Sequence, residues 1–304
     1  VAKGIRPPHQ THNRARNNTA FGLVFLDYMG PFSASSNGAR YVLALRDDYT
    51  RWTVAIAVPS RKNAGASLEG LLKKMRQFAA NFVRTKDGKI REPLIQCIQT
   101  DNAMEFINGS FPDTCAKLGI MHRFTAPHEH RNNSIIERVW RDIQMIMRTL
   151  LHHANLSSQM WPYALEHSIY LINRTPTAHG DPSPFYALTA KEPDLSNIKI
   201  WGCLAIQHLV YDQRVQNSGE TLQSGDKAKK LANRGQPLIY IGHAENSKNV
   251  HLVSLSDPSR IITSGLVASY DEASITDRSY HAATDEKTRA RAEFNNSKPD
   301  TPML

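Results

Sequence analysis

A long amphipathic helix is the clearest element that the sequence predicts. In SIIERVWRDIQMIMRTLLHHA, residues 134–154, apolar side chains recur every three or four positions over about five helical turns. This apolar stripe consists of Ile135, Ile136, Val139, Trp140, Ile143, Ile146, Met147, Leu150 and Leu151. A helix with one apolar stripe has to bury it, so the rest of the domain must supply a surface for it to pack against.

The segments around this helix predict a sheet. Residues 22–30, 39–50 and 51–60 are short apolar runs rich in β-branched and aromatic residues, which is typical of strands. The other predicted elements are a helix at 64–84, a strand at 93–101, a short helix at 111–119, a short strand at 120–126 and a helix at 160–176 that stops at Pro176. This order predicts an α/β fold, a mixed sheet with helices packed on it.

A smaller β domain is predicted after a proline-rich stretch, with strands within 201–210, 236–256 and 260–269. The sequence therefore divides into five regions. They are a basic N-terminal arm (1–19), the α/β core (20–155), a helical extension (156–194), the small β domain (195–275) and a polar tail expected to be disordered (276–304).

The charge balance points to a polyanionic partner. The chain has 37 Lys and Arg residues against 28 Asp and Glu, a formal net charge of +9, and nucleic acid is the obvious partner for such an excess. No apolar run approaches the roughly 18 residues of a membrane span, and the N-terminus lacks the apolar region of a signal peptide. Since the chain begins at Val1, we expect it to be a fragment or a processed product.

The three cysteines are Cys97, Cys115 and Cys203. They are odd in number, widely spaced and without a CxxC pair, which argues against both a disulfide framework and a cysteine zinc site. We therefore expect reduced thiols in an intracellular protein.

Three acidic residues interrupt apolar structure. Asp27 lies near the end of the first strand, Asp101 ends the fourth, and Glu137 lies in the first turn of the long helix, with 35 residues between it and Asp101. Each has an ordinary alternative. Asp27 suits a turn before Gly30, Asp101 suits an Asx turn, and Glu137 fits a capping box with Ser134.

If these carboxylates met at one edge of the sheet, they would repel each other unless cations neutralised them. Oxygen ligands without His or Cys favour Mg²⁺ or Mn²⁺. Two such ions, about 4 Å apart, can activate a hydroxyl nucleophile and stabilise the leaving oxygen of a phosphodiester.

The whole pattern resembles the D,D(35)E catalytic core of retroviral-type integrases, and most closely the integrase region of Copia-like (Ty1/copia) retrotransposon polyproteins. The matching pieces of the core, in order, are LDYMGPF around Asp27, YVLALRDDYTRWT at 41–53, QTDNAMEF around Asp101, LGIMHRFTAPH at 118–128 and IIERVWRDIQ around Glu137. The likeness continues through MWPYALEHSIYLINRTPT, PFYALTAKEPDLSNIKIWGCLA and LIYIGHAENSKNVHLV, so that it covers roughly residues 1–275.

The resemblance implies an RNase H-like mixed five-stranded sheet with flanking helices, followed by a small SH3-like β domain. It implies that Asp27, Asp101 and Glu137 are catalytic residues and hold two Mg²⁺ or Mn²⁺ ions. The implied activity is that of a DDE polynucleotidyl transferase inserting element cDNA into target DNA. The implied partners are double-stranded DNA and further copies of the chain, with no membrane. The implied location is the nucleus when acting, or cytoplasmic virus-like particles.

Two departures from the family pattern keep alternatives open. Ala103 stands where the family usually has glycine, and residues 130–133 replace a Gln-Asn-Gly segment. The family's His/Cys zinc module is also missing before the core, and we expect it upstream of Val1. The alternatives are a decayed integrase that only binds DNA, or a nuclease of the same fold that only hydrolyses.

A polar stripe on the long helix adds a hint of DNA binding. Glu137, Arg141, Gln144 and Arg148 fall at i, i+4, i+7 and i+11, on one side of the helix. The alternative is a solvated face with an i,i+4 Glu–Arg pair. The predicted DNA-binding residues are Arg138, Arg141, Gln144, Arg148 and Asn102.

Overall fold

The computed structural model describes seven stretches of the chain. They are residues 17–82, 95–125, 130–176, 181–209, 235–244, 249–254 and 260–271. Most of the predicted basic arm and all of the predicted polar tail lie outside these described residues, and the domain boundaries stay predictions.

A mixed five-stranded sheet forms the first part of the fold. Its strands are β1 (Val24–Met29), β2 (Tyr41–Asp47), β3 (Thr53–Val58), β4 (Cys97–Thr100) and β5 (Met121–Phe124), in the order β3-β2-β1-β4-β5. The pairs β1–β2 and β2–β3 are antiparallel, and residues 30–40 and 48–52 connect these strands. The pairs β1–β4 and β4–β5 are parallel. The carboxyl ends of β1 and β4 therefore meet at the same edge.

Among the described residues, six α-helices accompany this sheet. They are α1 (Ala64–Phe82), α2 (Met104–Ile107), α3 (Ser110–Lys117), α4 (His130–Ala154), α5 (Trp161–Arg174) and α6 (Pro184–Thr189). The short helices α2 and α6 are not among the predicted elements. Helix α4 begins at His130, so Ser134 lies inside it and is not an N-cap. The capping-box alternative for Glu137 is therefore wrong, and Glu137 lies about two turns inside the helix rather than in its first turn.

Successive side chains of β1 point alternately into two core layers, one on each face of the sheet. Phe25 faces the layer of α4 and α5, whereas Val24 and Leu26 face the layer of α1 and α3. The sheet is thus covered on both faces, which is why its central strands are almost continuously apolar.

A second, all-antiparallel sheet follows. Its strands are β6 (Leu204–His208), β7 (Gly235–His243), β8 (Val250–Val253), β9 (Ile261–Ser264) and β10 (Val267–Asp271), in the order β10-β6-β7-β8-β9. Ile239 and Ile241 of β7 join the core layer of α5, and Trp201 Nε1 donates to the carbonyl oxygen of Ile241 at 2.8 Å. The predicted fold class, a mixed five-stranded sheet with flanking helices and a small β unit after it, is confirmed.

The three cysteines are buried free thiols, as predicted. Within the described ranges, no helix combines the length and the apolar character needed to cross a bilayer.

Asp47 ties the β2–β3 turn to the segment before β1. Its side chain is fully buried. Oδ1 accepts from the Phe21 amide at 2.8 Å, and Oδ2 accepts from the amide and the hydroxyl of Thr50 at 2.8 and 2.7 Å. Burial raises the pKa of this carboxyl, and the hydrogen bonds oppose that rise. One side chain thus fixes the turn and the entry into the sheet.

Replacing Asp47 by alanine should lower the free energy of unfolding by about 2 kcal/mol, because three buried donors lose their acceptor. Urea unfolding of the 304-residue chain measures this change. Asp142→Ala is the matched control, because Asp142 is exposed on α4 and its loss should cost no more than about 0.5 kcal/mol. Equal losses in the two variants would contradict the anchoring role.

Candidate active site

The structure brings Asp27 and Asp101 together. In the parallel pair β1–β4, Phe25 lies opposite Gln99, and each aspartate comes two residues after its member of that pair. The two carboxylates are close enough that the charge of Asp101 raises the pKa of Asp27. Adjacent parallel strands thus deliver two acidic side chains to one edge of the sheet.

Asp27 is a half-buried carboxylate whose pKa is raised. Burial is the largest cause raising its pKa, which reaches about 6, and the charges of Asp101 and Glu105 add to the rise. Hydrogen bonds oppose it. Oδ2 accepts from Trp140 Nε1 at 3.0 Å, and Oδ1 accepts from the Tyr28 amide at 2.7 Å. These bonds run to β1 and α4 rather than to the turn at Gly30, so the turn-capping alternative does not describe Asp27.

Asp101 makes an Asx turn, which the sequence analysis gave as the alternative to a metal-binding role. Its Oδ1 accepts from the amide of Ala103 at 3.1 Å. The turn holds the carboxylate in place at the end of β4. The turn and the electrostatic contact with Asp27 therefore exist together.

Glu137 is exposed on α4, one helical turn before Trp140, the residue that binds Asp27. The structure does not gather it with the two aspartates into a ligand set. In the part of the chain that is described, no three His, Cys, Asp or Glu side chains are grouped so as to hold a metal ion. The third catalytic position stays a prediction.

Two contacts at this edge were missed by the sequence analysis. Trp140 was assigned only to the apolar stripe, although its indole N–H also donates a hydrogen bond to Asp27. Glu105 was not singled out, although its charge reaches Asp27 and its Oε1 pairs with Arg61 Nη1 at 2.8 Å. A prediction of α2 would have placed Glu105 near β1, but four residues give no periodic signal.

The predicted DNA-binding residues fall into two groups. Arg138, Arg141 and Arg148 are exposed on α4. The two amides have local partners, since Gln144 Nε2 lies 3.0 Å from Met29 Sδ and Asn102 Nδ2 donates to the Thr125 carbonyl at 3.2 Å. None of the ion pairs among the described residues joins Glu137 to Arg141, but the exposure of both residues also fits the solvated-face alternative. DNA binding by these five residues stays a prediction.

Ala103 does not strain the loop after Asp101. Its φ is −66° and its ψ is 143°, an extended conformation that any L-residue adopts. Its methyl group packs against the α1 and α3 layer of the core. The backbone here does not require the glycine that the resemblance led us to expect.

Solved integrase structures are among the proteins of similar shape. The crystal structure of the BIV integrase catalytic core domain is 14% identical, with a TM-score of 0.40, and the match covers 55% of this chain and 93% of that one. A simian T-cell lymphotropic virus intasome in complex with PP2A regulatory subunit B56 gamma is 15% identical, with a TM-score of 0.45 and coverages of 84% and 81%.

Sequence relatives are transposon polyproteins. The retrovirus-related Pol polyprotein from transposon TNT 1-94 of Nicotiana tabacum is 27% identical over 247 residues, 80% of this chain and 16% of that protein. The Pol polyprotein from transposon RE2 of Arabidopsis thaliana is 29% identical over 181 residues, 59% of this chain and 12% of that protein. The chain therefore spans less than a fifth of the length of these relatives. Residues 17–130 match the family model of the integrase core domain. Over residues 17–130 the chain is thus similar to the integrase core domain, and over a longer stretch it is similar to transposon Pol polyproteins.

Proposed function

We propose that this chain is the integrase region of a retrotransposon polyprotein and that it joins element cDNA to target DNA by strand transfer. The observation that carries the proposal is that Asp27 and Asp101 are neighbours near the carboxyl ends of β1 and β4, inside the residues that match the integrase core domain. A catalytic pair at this edge is open to a substrate approaching from the ends of the strands.

The residues present suit a divalent cation. Integrase cores use divalent metal ions. The half-buried Asp27, whose pKa is raised to about 6, and the neighbouring Asp101 form an oxygen-only donor set that gains from a cation and favours Mg²⁺ or Mn²⁺. Asp27, Asp101 and Glu137 are the residues that would hold these ions. When bound, such ions lower the pKa of the attacking oxygen and stabilise the leaving oxygen.

The protein's own groups orient these carboxylates. Trp140 Nε1 and the Tyr28 amide fix the plane of the Asp27 carboxylate, and the Ala103 amide fixes that of Asp101. The remaining oxygen lone pairs would be available to a cation. A 3′-hydroxyl placed at this edge loses its proton and attacks the phosphorus of a target phosphodiester in line, and the bond from that phosphorus to the target strand's 3′-oxygen breaks.

DNA approaches along α4 in this proposal. Arg138, Arg141 and Arg148 are exposed on the helix that also carries Glu137 and Trp140, so they reach phosphates next to the acidic pair. The partners are element ends and target DNA. The chain acts as a homo-multimer, in the nucleus or earlier in virus-like particles.

A strand-transfer assay tests the proposal. The chain is incubated with a labelled duplex that has a recessed 3′ end, a supercoiled plasmid, and Mg²⁺ or Mn²⁺. Labelled plasmid is the expected product. Cleavage without joining would favour the hydrolysing nuclease. DNA binding without any product under either metal would favour the decayed integrase that only binds DNA. The altered segment 130–133 keeps that alternative open, whereas the unstrained backbone of Ala103 does not favour it.

A further inference from the structure

An ion pair borders the candidate active site on the side away from α4. Arg61 lies in the connection between β3 and α1, and its Nη1 is 2.8 Å from Oε1 of Glu105 in α2. The Arg61 guanidinium carbon also lies 5.3 Å from the ring centroid of Tyr41, at the start of β2. The guanidinium is thus held by a carboxylate and by an aromatic ring.

The fold places this ion pair beside the catalytic edge. Tyr28, the residue after Asp27, stacks on Phe106, the residue after Glu105, with ring centroids 5.5 Å apart. This contact fixes α2 against the end of β1. Tyr41, which Arg61 covers, pairs with Val58 one step beyond the Met29–Val42 pair, so it belongs to the same edge of the sheet.

Arg61 and Glu105 differ in charge and in exposure, and these differences assign them different roles. Asp27, Asp101 and Glu105 give this edge three acidic groups, and among the described ion pairs Arg61 is the cation that meets one of them. The Arg61 side chain is 49% exposed, whereas that of Glu105 is 15% exposed. A guanidinium has five N–H donors, so a contact with one carboxylate oxygen leaves donors free to face solvent. A guanidinium already fixed in place loses less entropy when it binds a phosphate.

We propose that Arg61 binds a DNA backbone phosphate beside the Asp27–Asp101 pair, and that Glu105 is its positioning residue rather than a metal ligand. The inference rests on the proposed function, because it needs DNA at this edge. Arg61 lies with the α1 and α2 layer and the arginines of α4 lie with the opposite layer, so the two groups would contact DNA on both sides of the acidic pair.

The test measures DNA binding without divalent cations. The full chain is titrated into a short fluorescein-labelled duplex in EDTA, at several salt concentrations, and the anisotropy gives Kd. Arg61→Ala should raise Kd about five- to tenfold and reduce the magnitude of the salt slope by about one, since one phosphate contact is lost. Arg76→Ala is the matched control, an exposed arginine further along α1 whose loss should change neither quantity.

Two conservative variants separate positioning from charge and from folding. Arg61→Lys keeps the charge but not the planar fork, so it should keep the parent salt slope and raise Kd less than Arg61→Ala. Glu105→Gln removes a negative charge, which by electrostatics alone would tighten DNA binding. If Glu105 positions Arg61, Kd rises instead, about twofold or more, with the salt slope retained.

Each component fails separately. Binding by Arg61→Ala that equals that of Arg76→Ala overturns the phosphate contact, and unchanged or tighter binding by Glu105→Gln overturns the positioning role. A parent chain that does not bind DNA at all overturns the proposed function itself, and with it the role of Arg61.

Discussion

Replacing Asp101 by asparagine should reduce strand transfer about a thousandfold, equivalent to about 4 kcal/mol of lost transition-state stabilisation. Asparagine preserves the size of the side chain, and its amide oxygen can still accept the hydrogen bond of the Ala103 amide. The charge that neutralises a cation is lost. The rate of plasmid labelling in the strand-transfer assay measures the effect.

Duplex binding by Asp101→Asn should match that of the parent chain or be slightly tighter, because the variant removes a negative charge near DNA. Asp113→Asn is the matched control, an exposed aspartate on α3 whose change should leave strand transfer unaltered. An Asp101→Asn variant that joins DNA as fast as this control would remove Asp101 from the catalytic set.

The same strand-transfer assay tests whether Glu137 is the third catalytic carboxylate. Glu137→Gln should lose strand transfer as completely as Asp101→Asn if the triad is Asp27, Asp101 and Glu137. Gathering these side chains requires Glu137, exposed one turn before Trp140, to swing toward Asp27 when cation and DNA are present. Full activity in Glu137→Gln would show that two carboxylates of the sheet edge work without it.

The sequence predicted the layers of the fold because each has a strong local period. The strands β1 to β3 are apolar runs, and α4 has a long apolar stripe whose members form much of one core layer. The start of α4 was misplaced because the pattern begins only at Ile135, whereas hydrogen bonding carries the helix back to His130.

The site could be predicted only in part, for a physical reason. Asp27 and Asp101 stood out because Asp27 interrupts an apolar strand near its end and Asp101 directly follows another. The partners of these aspartates depend on which elements become neighbours, and local periodicity does not contain that information. The contact between Trp140 and Asp27 joins residues 113 positions apart, and the Arg61–Glu105 pair joins residues 44 apart.

His167 carries the largest expected effect outside the catalytic edge. It lies on α5 and is 3% exposed. Its ring lies parallel to that of Tyr170 at 6.0 Å and edge-on to that of Tyr240 at 6.2 Å, where α5 meets β7. Its Nδ1 has no hydrogen-bond partner in the structure. Burial, followed by the charges of His243 and Arg174, lowers its pKa to about 4.

This lowered pKa links folding to pH. An unfolded histidine has a pKa of about 6.5. Between about pH 6.5 and pH 4, His167 is therefore protonated in the unfolded chain but stays neutral in the folded chain. The stabilising contribution is complete above about pH 6.5 and is lost as the pH falls toward 4. Asp27 has the opposite effect on stability over much of this range. Its pKa is raised to about 6, so as the pH falls the folded chain protonates this carboxyl before the unfolded chain does and is stabilised. The pH profile of the parent chain is therefore a sum of opposing slopes, and a variant is needed to isolate His167.

His167→Phe should gain about 2–3 kcal/mol of stability relative to the parent chain between about pH 7 and pH 4.5. Phenylalanine fills the space between Tyr170 and Tyr240 and cannot take up a proton, so the penalty paid by the parent disappears. Urea unfolding of both chains at the two pH values gives the difference, and subtraction cancels the contribution of Asp27, which both chains share. His208→Phe, the same change at an exposed position of β6, should show no such pH-dependent gain. A difference between His167→Phe and the parent that does not change with pH would mean that folded His167 accepts a proton as readily as an unfolded histidine. Burial between α5 and β7 would then not control its charge.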